Sequence, residues 1–393
     1  MGSSIAGQTA IAGIGSTAFS KDSGRTELSL AAEAVSAALA DAGLSPADVD
    51  GMVTFTLDFN DEIEVARVVG AGELRFFSRI PHGGGAACGT VAHAAMAVAT
   101  GMADVVVCFR SLNGRSWRRY GAGGLTQRQV APTADMVLYS WYLPFGLITP
   151  ASWVAMFTQR YMHEFGTSGE DLGRVTVSAR GYAATNPAAH FFQRPLSLAE
   201  HQASRWVVEP LRVLDCCQES DGAVAMVVTS LERARDLRQP AAVVAAAAQG
   251  SGDGQQSMTS FYRESITGLP ECAVVARELW RQSGLGPADM DAANIYDPFT
   301  PFVLIQLEEY GFCERGESAG FVAEGNLDPG GRLPTNKNGG QLGEAYIHGM
   351  NGIAEAVRLI RGTSVNQVGR PDHVLVTAGV GVPTSGLILE RIA

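Results

Sequence analysis

A short motif occurs twice in this chain and constrains its fold more than any other feature. Residues 43–55 read GLSPADVDGMVTF, and residues 284–296 read GLGPADMDAANIY. Each copy follows an amphipathic helical pattern, ends that helix at a glycine, starts a short turn at a proline and leads into a strand-like run. Common turn chemistry alone does not explain six identities in so short a window. The repeat therefore indicates an ancestral duplication.

A second correspondence lies downstream of each copy. Residues 89–109 read as a small-residue helix, a glycine stop and an apolar strand, and residues 352–362 with 373–379 repeat that unit across a longer connection. Alanine-rich helices and strands without polar alternation are typical of a sheet covered by helices on both faces. The sequence therefore predicts an α/β protein with two similar halves, residues 1–235 and 240–393.

The first half carries a segment, residues 110–210, that has no counterpart in the second half. Its helical patterns and its proline-, glycine- and aromatic-rich stretch predict an inserted loop or lid domain, and such insertions often bind substrate. Four arginines stand close together near its start: Arg110, Arg115, Arg118 and Arg119. Such a cluster can bind phosphate groups. A solvated, salt-bridged or partner-facing loop is the alternative.

Charge and cysteine content limit the partners and the compartment. The formal net charge of −11 repels phosphate backbones, so we expect no nucleic acid partner. The six cysteines form no CxxC pair, and the N-terminus lacks the basic and apolar segments of a signal peptide. The longest apolar run, residues 241–248, is too short to cross a membrane. These features predict a cytoplasmic protein with reduced thiols and no membrane span.

Two similar halves, each with a glycine-rich turn that opens a buried helix, resemble the thiolase superfamily over nearly the whole chain. The runs FGLITPASWVAMFTQRYMHEFGTS and PLRVLDCCQESDGAVAMVVTS are similar to its lipid-transfer branch, the sterol-carrier type. This resemblance implies the thiolase fold, in which two duplicated α/β halves form five layers, αβαβα.

The four chemical signatures of thiolases are replaced in this chain, residue by residue. The position of the nucleophilic cysteine holds Gly84, and the asparagine of the NEAF-type motif is Tyr296. The histidine of the GHPxGxxG motif is Tyr346, and the second cysteine, before Gly379, is Thr377, with Ala378 as the alternative. The glycines that shape the backbone remain. The resemblance therefore implies a thiolase site without the cysteine that carries the acyl group.

For three residues that lie near these signatures, the sequence leaves alternative roles open. Cys88, about one helical turn beyond Gly84, is either a displaced nucleophile or, as we favour, a buried small residue. His348 occupies the variable slot of the GHPxG pattern, so it is either a pocket residue or a structural histidine. Asp297 follows Tyr296, and its side chain is expected to point the other way and to form a salt bridge or a turn bond.

The two tyrosines suit proton transfer at an alcohol or an enolate oxygen. A subgroup that this chain resembles consists of aldolases of bacterial steroid side-chain degradation, cholesterol included. The resemblance implies retro-aldol cleavage of a 17-hydroxy steroid C22-CoA thioester to a 17-ketosteroid and propionyl-CoA. We expect Tyr296 as the base and Tyr346 as the donor or acid, with the reverse assignment open. Backbone N–H groups of Gly84 and Gly379, with His348, are expected to form the oxyanion and substrate pocket.

The resemblance also implies partners and ligands. It implies a partner with a DUF35 domain, which has an OB-like fold and belongs to a hydratase subunit, and a homodimer within that hetero-oligomer. No cofactor is expected, since CoA is part of the substrate, and no metal. Arg115, Arg118 and Arg119 are the candidates for CoA binding. The alternatives are a non-catalytic lipid-transfer or acyl-CoA-binding protein, in which the tyrosines only fill volume, and a true thiolase that uses Cys88.

Overall fold

The computed structural model describes residues 5–117, 119, 140–255, 261, 263–381 and 384–392. The strands are β1 Thr9–Ser16, β2 Gly51–Phe55, β3 Phe76–Ile80, β4 Val105–Asn113, β5 Trp206–Val208, β6 Leu211–Arg212, β7 Asp221–Ser230, β8 Ala242–Gly250, β9 Ala292–Asn294, β10 His373–Ala378 and β11 Thr384–Arg391. The helices are α1 Glu27–Ala42, α2 Glu62–Val69, α3 Ala86–Ala99, α4 Pro150–Phe165, α5 Gly169–Thr185, α6 Leu198–Ala203, α7 Leu231–Arg235, α8 Pro270–Ser283, α9 Thr300–Glu309, α10 Ser318–Ala323, α11 Gly340–Gly343 and α12 Met350–Arg361.

Nine strands form one mixed sheet in the order β3-β2-β4-β7-β1-β8-β11-β10-β9. We call β3, β2, β4, β7 and β1 the N-terminal strand set, and β8, β11, β10 and β9 the C-terminal strand set. A parallel pair lies in each set, β2 with β4 and β9 with β10. Among the described strands, the sets join where Ala10 pairs with Val243 and Ile11 pairs with Ala242. This short junction lets the two sets face each other across a layer of helices.

Side chains that alternate along the strands separate the layers. In β4, Val107 belongs to a cluster with α1, whereas Cys108 belongs to a cluster that contains α3, α12 and strands of both sets. In β10, Val376 faces that same central cluster, and Leu375 packs with α8 and α9. Because successive strand residues point to opposite faces, both sets are covered on both sides. The predicted five-layer α/β thiolase fold is confirmed.

The repeated motif forms the same local structure in both halves. Helices α1 and α8 end at Gly43 and Gly284, which take the left-handed conformation at φ 76° and 73°. Asp50 accepts hydrogen bonds from the backbone N–H groups at the start of β4, and Asp291 accepts them at the start of β10. Each aspartate thus connects the strand at the end of the motif, β2 or β9, to its parallel neighbour, β4 or β10. The exact limits of the two halves stay a prediction.

The predicted insertion begins later than expected and packs on the other half. Strand β4 runs to Asn113, so the first four residues assigned to the insertion continue the sheet. The expected helices form as α4 and α5. The Tyr161 hydroxyl donates to the Glu308 carboxylate in α9 and bonds the Ser318 hydroxyl in α10. The insertion therefore covers the outer helices of the C-terminal strand set. Among the described helices, none has the length and apolarity needed to cross a bilayer.

Candidate active site

The two tyrosines predicted from the sequence meet in the structure. Tyr296 follows β9, and Tyr346 lies in the turn between α11 and α12. Their hydroxyl oxygens are 3.0 Å apart, so either phenol can donate a hydrogen bond to the other. Tyr296 is buried, with 5% of its surface exposed, and Tyr346 is half-buried. The pair thus joins one end of the C-terminal strand set to the glycine-rich turn before α12.

The backbone of Tyr296 is held at both of its polar groups. Its N–H donates to Thr377 Oγ1 over 2.9 Å, and its carbonyl accepts from Gln306 Nε2 over 2.7 Å. Thr377 Oγ1 in turn donates to Gln306 Oε1 over 2.6 Å. The residue at the second cysteine position of thiolases therefore positions Tyr296 here. Sequence reasoning missed Gln306, since one buried glutamine on α9 belongs to no recognisable motif.

The Tyr296 ring fills the space that a side chain at position 84 would need. A Cβ atom added to Gly84 would lie 1.7 Å from Tyr296 Oη and 2.0 Å from Cζ. Gly84 stands just before α3, at the position of the thiolase nucleophile. Atoms cannot approach so closely in a packed interior. In this structure, a side chain at position 84 and the Tyr296 ring therefore cannot occupy the same space.

Cys88 lies in an environment unsuited to a nucleophile. Its side chain is fully buried in α3, with Sγ 3.7 Å from the carbonyl oxygen of Val376. Burial raises the pKa of the Cys88 thiol well above its ordinary value. Because the thiolate is the reactive form, Cys88 lacks the character that a thiolase mechanism requires. The structure supports its interpretation as a buried small residue.

His348 is oriented by a buried ion pair that the sequence did not reveal. Arg110 Nη1 lies 2.9 Å from Asp58 Oδ2, and both side chains are fully buried. Arg110 Nε donates to His348 Nδ1 over 3.0 Å. The Asp58 carboxylate also accepts from the Ser111 N–H and from the Asn60 side chain. Arg110 is thus removed from the surface arginine cluster expected from the sequence, and it acts as a buried support.

Burial and this contact together determine the charge of the His348 ring and the nitrogen that carries its proton. Burial, and then the charge of Arg110, lower the pKa of His348 well below its ordinary value, so the ring is neutral at physiological pH. Because Nδ1 accepts from a guanidinium, the ring proton is on Nε2. The His348 ring packs against Tyr346 edge-on with centroids 5.0 Å apart. A Cβ on Gly83 would lie 3.1 Å from Nε2. A neutral donor therefore lies beside the tyrosine pair.

Two buried carboxylates shape the turn that bears Tyr346. Asp297 accepts from the backbone N–H groups of Gln341 and Leu342 at the start of α11, a long-range contact in place of the salt bridge or local turn bond expected from the sequence. The Glu344 carboxylate accepts from the side-chain amides of Asn186, Asn338 and Asn351. Burial raises the pKa of Asp297 and of Glu344 to about 7 in each case. Asp297 thus holds backbone at the start of α11, Glu344 holds three asparagine side chains, and both carboxylates are buried.

The other predicted site residues have different surroundings. Gly379 follows β10 directly and takes a left-handed conformation, φ 88°, two residues beyond Thr377. Arg119 is exposed and pairs with Glu219 at 2.8 Å. Arg115 is half-buried, and Arg118 lies outside the described residues. The oxyanion role of Gly84 and Gly379 and the CoA role of the arginines stay predictions.

The described part of the chain has no group of three or more His, Cys, Asp or Glu residues suited to a metal ion. The chemistry that the described site offers comes from hydroxyl, imidazole and backbone groups. Two hydrogen-bonded phenols and a neutral imidazole can donate, accept and relay protons.

Comparisons with known proteins agree with this geometry. The thiolase C-terminal domain-like family model matches residues 250–391. The steroid side-chain-cleaving aldolase of Thermomonospora curvata is 66% identical over 385 residues, which are 98% of this chain and 98% of the relative. The chain belongs to the thiolase-like family.

Further relatives show which kind of thiolase-like protein this chain is similar to. The 17-hydroxy-3-oxo-4-pregnene-20-carboxyl-CoA lyase of Mycobacterium tuberculosis is 61% identical over 387 residues, 98% of this chain and 100% of the relative. The solved Ltp2-ChsH2(DUF35) aldolase is 64% identical, covers 99% of each chain and has a TM-score of 0.95. A thiolase-like protein of Mycobacterium smegmatis, 22% identical with a TM-score of 0.72, shares the fold. The chain thus stands among carbon–carbon lyases of the family.

Proposed function

We propose that this chain is an aldolase that cleaves a β-hydroxyacyl-CoA by a retro-aldol reaction. The substrate is a 17-hydroxy steroid C22-CoA thioester, and the products are a 17-ketosteroid and propionyl-CoA. The observation that carries the proposal is the Tyr296–Tyr346 hydroxyl pair, 3.0 Å apart, with the Tyr296 ring packed against Gly84. The relatives named as a steroid side-chain-cleaving aldolase and as a pregnene-carboxyl-CoA lyase support the same substrate class.

The bond changes require no covalent enzyme intermediate. The tertiary C17 hydroxyl loses its proton, the oxygen becomes a ketone, and the bond between C17 and the thioester α-carbon breaks. Its electron pair moves to the thioester carbonyl and forms an enolate, which a proton at the α-carbon converts to propionyl-CoA. The substrate is already a thioester, so the absence of an acyl-carrying cysteine costs nothing in this reaction.

The tyrosine pair can move the proton without forming a free phenolate. A phenol has an ordinary pKa of about 10, so an isolated tyrosine is a weak base at neutral pH. In a hydrogen-bonded pair, Tyr296 can accept the alcohol proton while its own proton passes to Tyr346, and Tyr346 can protonate the α-carbon. The opposite direction is equally allowed by the 3.0 Å contact, because either oxygen can be the donor.

The enolate oxygen needs hydrogen-bond donors while the bond breaks. The backbone N–H groups of Gly84 and Gly379 occupy the positions that form such a hole in thiolases. His348 adds a neutral Nε2–H donor, since Arg110 holds its Nδ1. A neutral donor suits an enolate because it stabilises the developing charge without giving up a proton to the oxygen.

The proposal includes an assembly and a location. The enzyme works in the cytoplasm as a homodimer joined to a DUF35 domain protein, which belongs to a hydratase subunit. The Ltp2-ChsH2(DUF35) aldolase, 64% identical to this chain, supports that kind of partner. The reaction as written needs no metal and no cofactor other than the CoA of the substrate.

The test is product formation by the complex with its DUF35 partner. Incubated with the 17-hydroxy steroid C22-CoA thioester, the complex should release 17-ketosteroid and propionyl-CoA in equal amounts, measured by liquid chromatography with mass detection. Tight binding of the thioester without release of either product would instead establish the lipid-transfer or acyl-CoA-binding alternative.

A further inference from the structure

A group of cations near Tyr346 lacks carboxylate partners. Within the described ranges, no carboxylate lies within ion-pair distance of the side chains of Lys21, Arg115, Arg180 or Arg194. The chain has 40 acidic and 29 basic residues, so most positions offer an acidic neighbour more readily than a basic one. In a protein with an excess of acidic residues, four cationic side chains without such carboxylates indicate a binding site for an anionic ligand.

Part of this group is built around the Phe191 ring. The Arg180 guanidinium lies 3.3 Å from the ring centroid, and that of Arg194 lies 5.2 Å from it. Arg180 is 5% exposed, and its buried Nε has no hydrogen-bond partner in the described part of the chain. Arg194 donates to the carbonyl of His190 and is exposed. Stacking on the Phe191 ring fixes the orientation of the two guanidinium groups, so they lose little side-chain conformational entropy when they bind a planar or tetrahedral anion.

Backbone contacts connect the group directly to the tyrosine site. The His190 N–H donates to the carbonyl of Glu344, two residues before Tyr346. On the other side, Lys21 Nζ donates to the Glu219 carbonyl over 2.6 Å, and Glu219 forms a β-bridge with Tyr346. Both parts of the cation group therefore flank the same short segment of the candidate active site.

The field between these parts is positive. Burial, and then the charges of Lys21, Arg194 and Arg180, lower the pKa of His190 to about 4. Burial and the neighbouring charge of Arg115 lower the pKa of Lys21 to about 8, against the opposing effect of nearby carboxylates.

The acidic groups nearby are already occupied by other donors. Glu219 pairs with Arg119, and Asp221 accepts from the backbone N–H groups of Ser23, Arg115 and Ser116. The Glu200 carboxylate accepts from the backbone and hydroxyl of Ser197. These carboxylates therefore leave the cation group free to hold a ligand of its own.

We propose that Lys21, Arg115, Arg180 and Arg194 bind the phosphate groups of the CoA part of the substrate while the thioester reaches the tyrosine pair. The proposal rests on the proposed function for the identity of the thioester. The paired N–H groups of a guanidinium match the geometry of phosphate oxygens. Because Arg194 is exposed next to the buried Arg180, a phosphate group can reach this site from solvent. Arg115 keeps the CoA role predicted from the sequence, whereas Arg119 is engaged with Glu219.

The decisive experiment compares two substrates that differ only in phosphates. Arg194→Gln, Lys21→Gln and the double variant are assayed with the CoA thioester and with the N-acetylcysteamine thioester of the same acyl group. Each lost charge should raise KM for the CoA thioester about tenfold with kcat nearly unchanged, and should leave kcat/KM for the phosphate-free thioester unchanged. Arg281→Gln, which removes an exposed arginine of α8, is the matched control and should change neither.

A binding measurement separates this proposal from the proposed reaction. Calorimetric titration of the wild-type complex with CoA itself should show binding that weakens as salt is added and weakens about tenfold in Arg194→Gln. Equal CoA affinity and equal KM in all variants would overturn the phosphate site while leaving the aldolase function intact. Loss of the DUF35 partner from the double variant, with CoA affinity unchanged, would also overturn it and would assign the cations to an acidic protein surface.

Discussion

Individual residues at this site depend on one another more than on their neighbours in sequence. Tyr296 exists at its position because Gly84 leaves room for the ring, and Thr377 and Gln306 hold its backbone. Burial, and then the charge of Arg110, lower the pKa of His348 and keep its ring neutral, while the Arg110 contact occupies Nδ1. A single substitution at any of these positions therefore tests a contact and a chemical role together.

Removing either active-site hydroxyl should stop proton transfer and leave the fold intact. Tyr296→Phe and Tyr346→Phe should each reduce kcat by about 10² or more, measured as 17-ketosteroid release under saturating substrate. Tyr310→Phe is the control, because the buried Tyr310 hydroxyl has no hydrogen-bond partner among the residues that the structure describes, and it should retain full activity. Near-normal rates in both active-site variants would mean that the two rings only fill volume.

Adding one methyl group at position 84 should displace the catalytic ring. Gly84→Ala places a carbon 1.7 Å from Tyr296 Oη, so the ring must move and the hydrogen bond to Tyr346 must break. We expect a loss of kcat similar to that of Tyr296→Phe, about 10²-fold. Gly181→Ala, in α5 with nothing within 4 Å of the new carbon, should keep wild-type activity. An active Gly84→Ala enzyme would contradict the steric link between the two positions.

At the scale of elements, the two copies of the duplicated motif tie strands together with different strength. Asp50 accepts from two backbone N–H groups and also pairs with Arg75 at 3.0 Å. Asp291 accepts from two backbone N–H groups at an exposed site. The same motif thus supports one parallel pair in each strand set, β2 with β4 and β9 with β10, with an additional contact in the first.

Alanine at these aspartates should lower stability unequally. Asp291→Ala should reduce the free energy of unfolding by about 1 kcal/mol and Asp50→Ala by about 2 kcal/mol, since the latter also leaves Arg75 with fewer partners. Urea unfolding followed by circular dichroism measures both. Replacement of the exposed Glu73 by alanine serves as the control and should change the midpoint little. Equal losses in the two aspartate variants would show that the Arg75 contact contributes nothing.

For the whole molecule, buried carboxylates should make stability fall toward neutral pH. Asp297 has its pKa raised by burial from 3.8 to about 7, so the folded state binds a proton that the unfolded state has lost between those values. The free energy of unfolding contributed by this group is therefore full below pH 3.8 and is lost as pH rises through 7. The fold tolerates this loss because the ionised group still accepts hydrogen bonds from the start of α11.

The comparison with Asp297→Asn isolates that effect. The variant cannot ionise, so its urea midpoint should decline less steeply than the wild-type midpoint between pH 4 and pH 7. The difference in slope, rather than either absolute stability, is the measured quantity, because other groups titrate in both proteins. Parallel slopes would mean that Asp297 has an ordinary pKa in the folded protein.

From the sequence alone, local periodicity and turn chemistry predicted the duplicated motif and an α/β protein with two similar halves, because each short segment carries these signals on its own. The five-layer fold and the chemical importance of the two phenols came from the resemblance to thiolases. For Asp297 the sequence predicted a salt bridge or a local turn bond, whereas the carboxylate accepts hydrogen bonds from the backbone of the distant residues Gln341 and Leu342.

Only the tertiary structure decided how those residues work together. The 3.0 Å contact of the phenols, the exclusion of a side chain at Gly84, and the support from Gln306 and Arg110 join segments that lie far apart in the chain. The same holds for the insertion, which belongs to the first half in sequence and packs on the second. Such contacts depend on close packing between layers, and no local pattern records which distant side chains will meet.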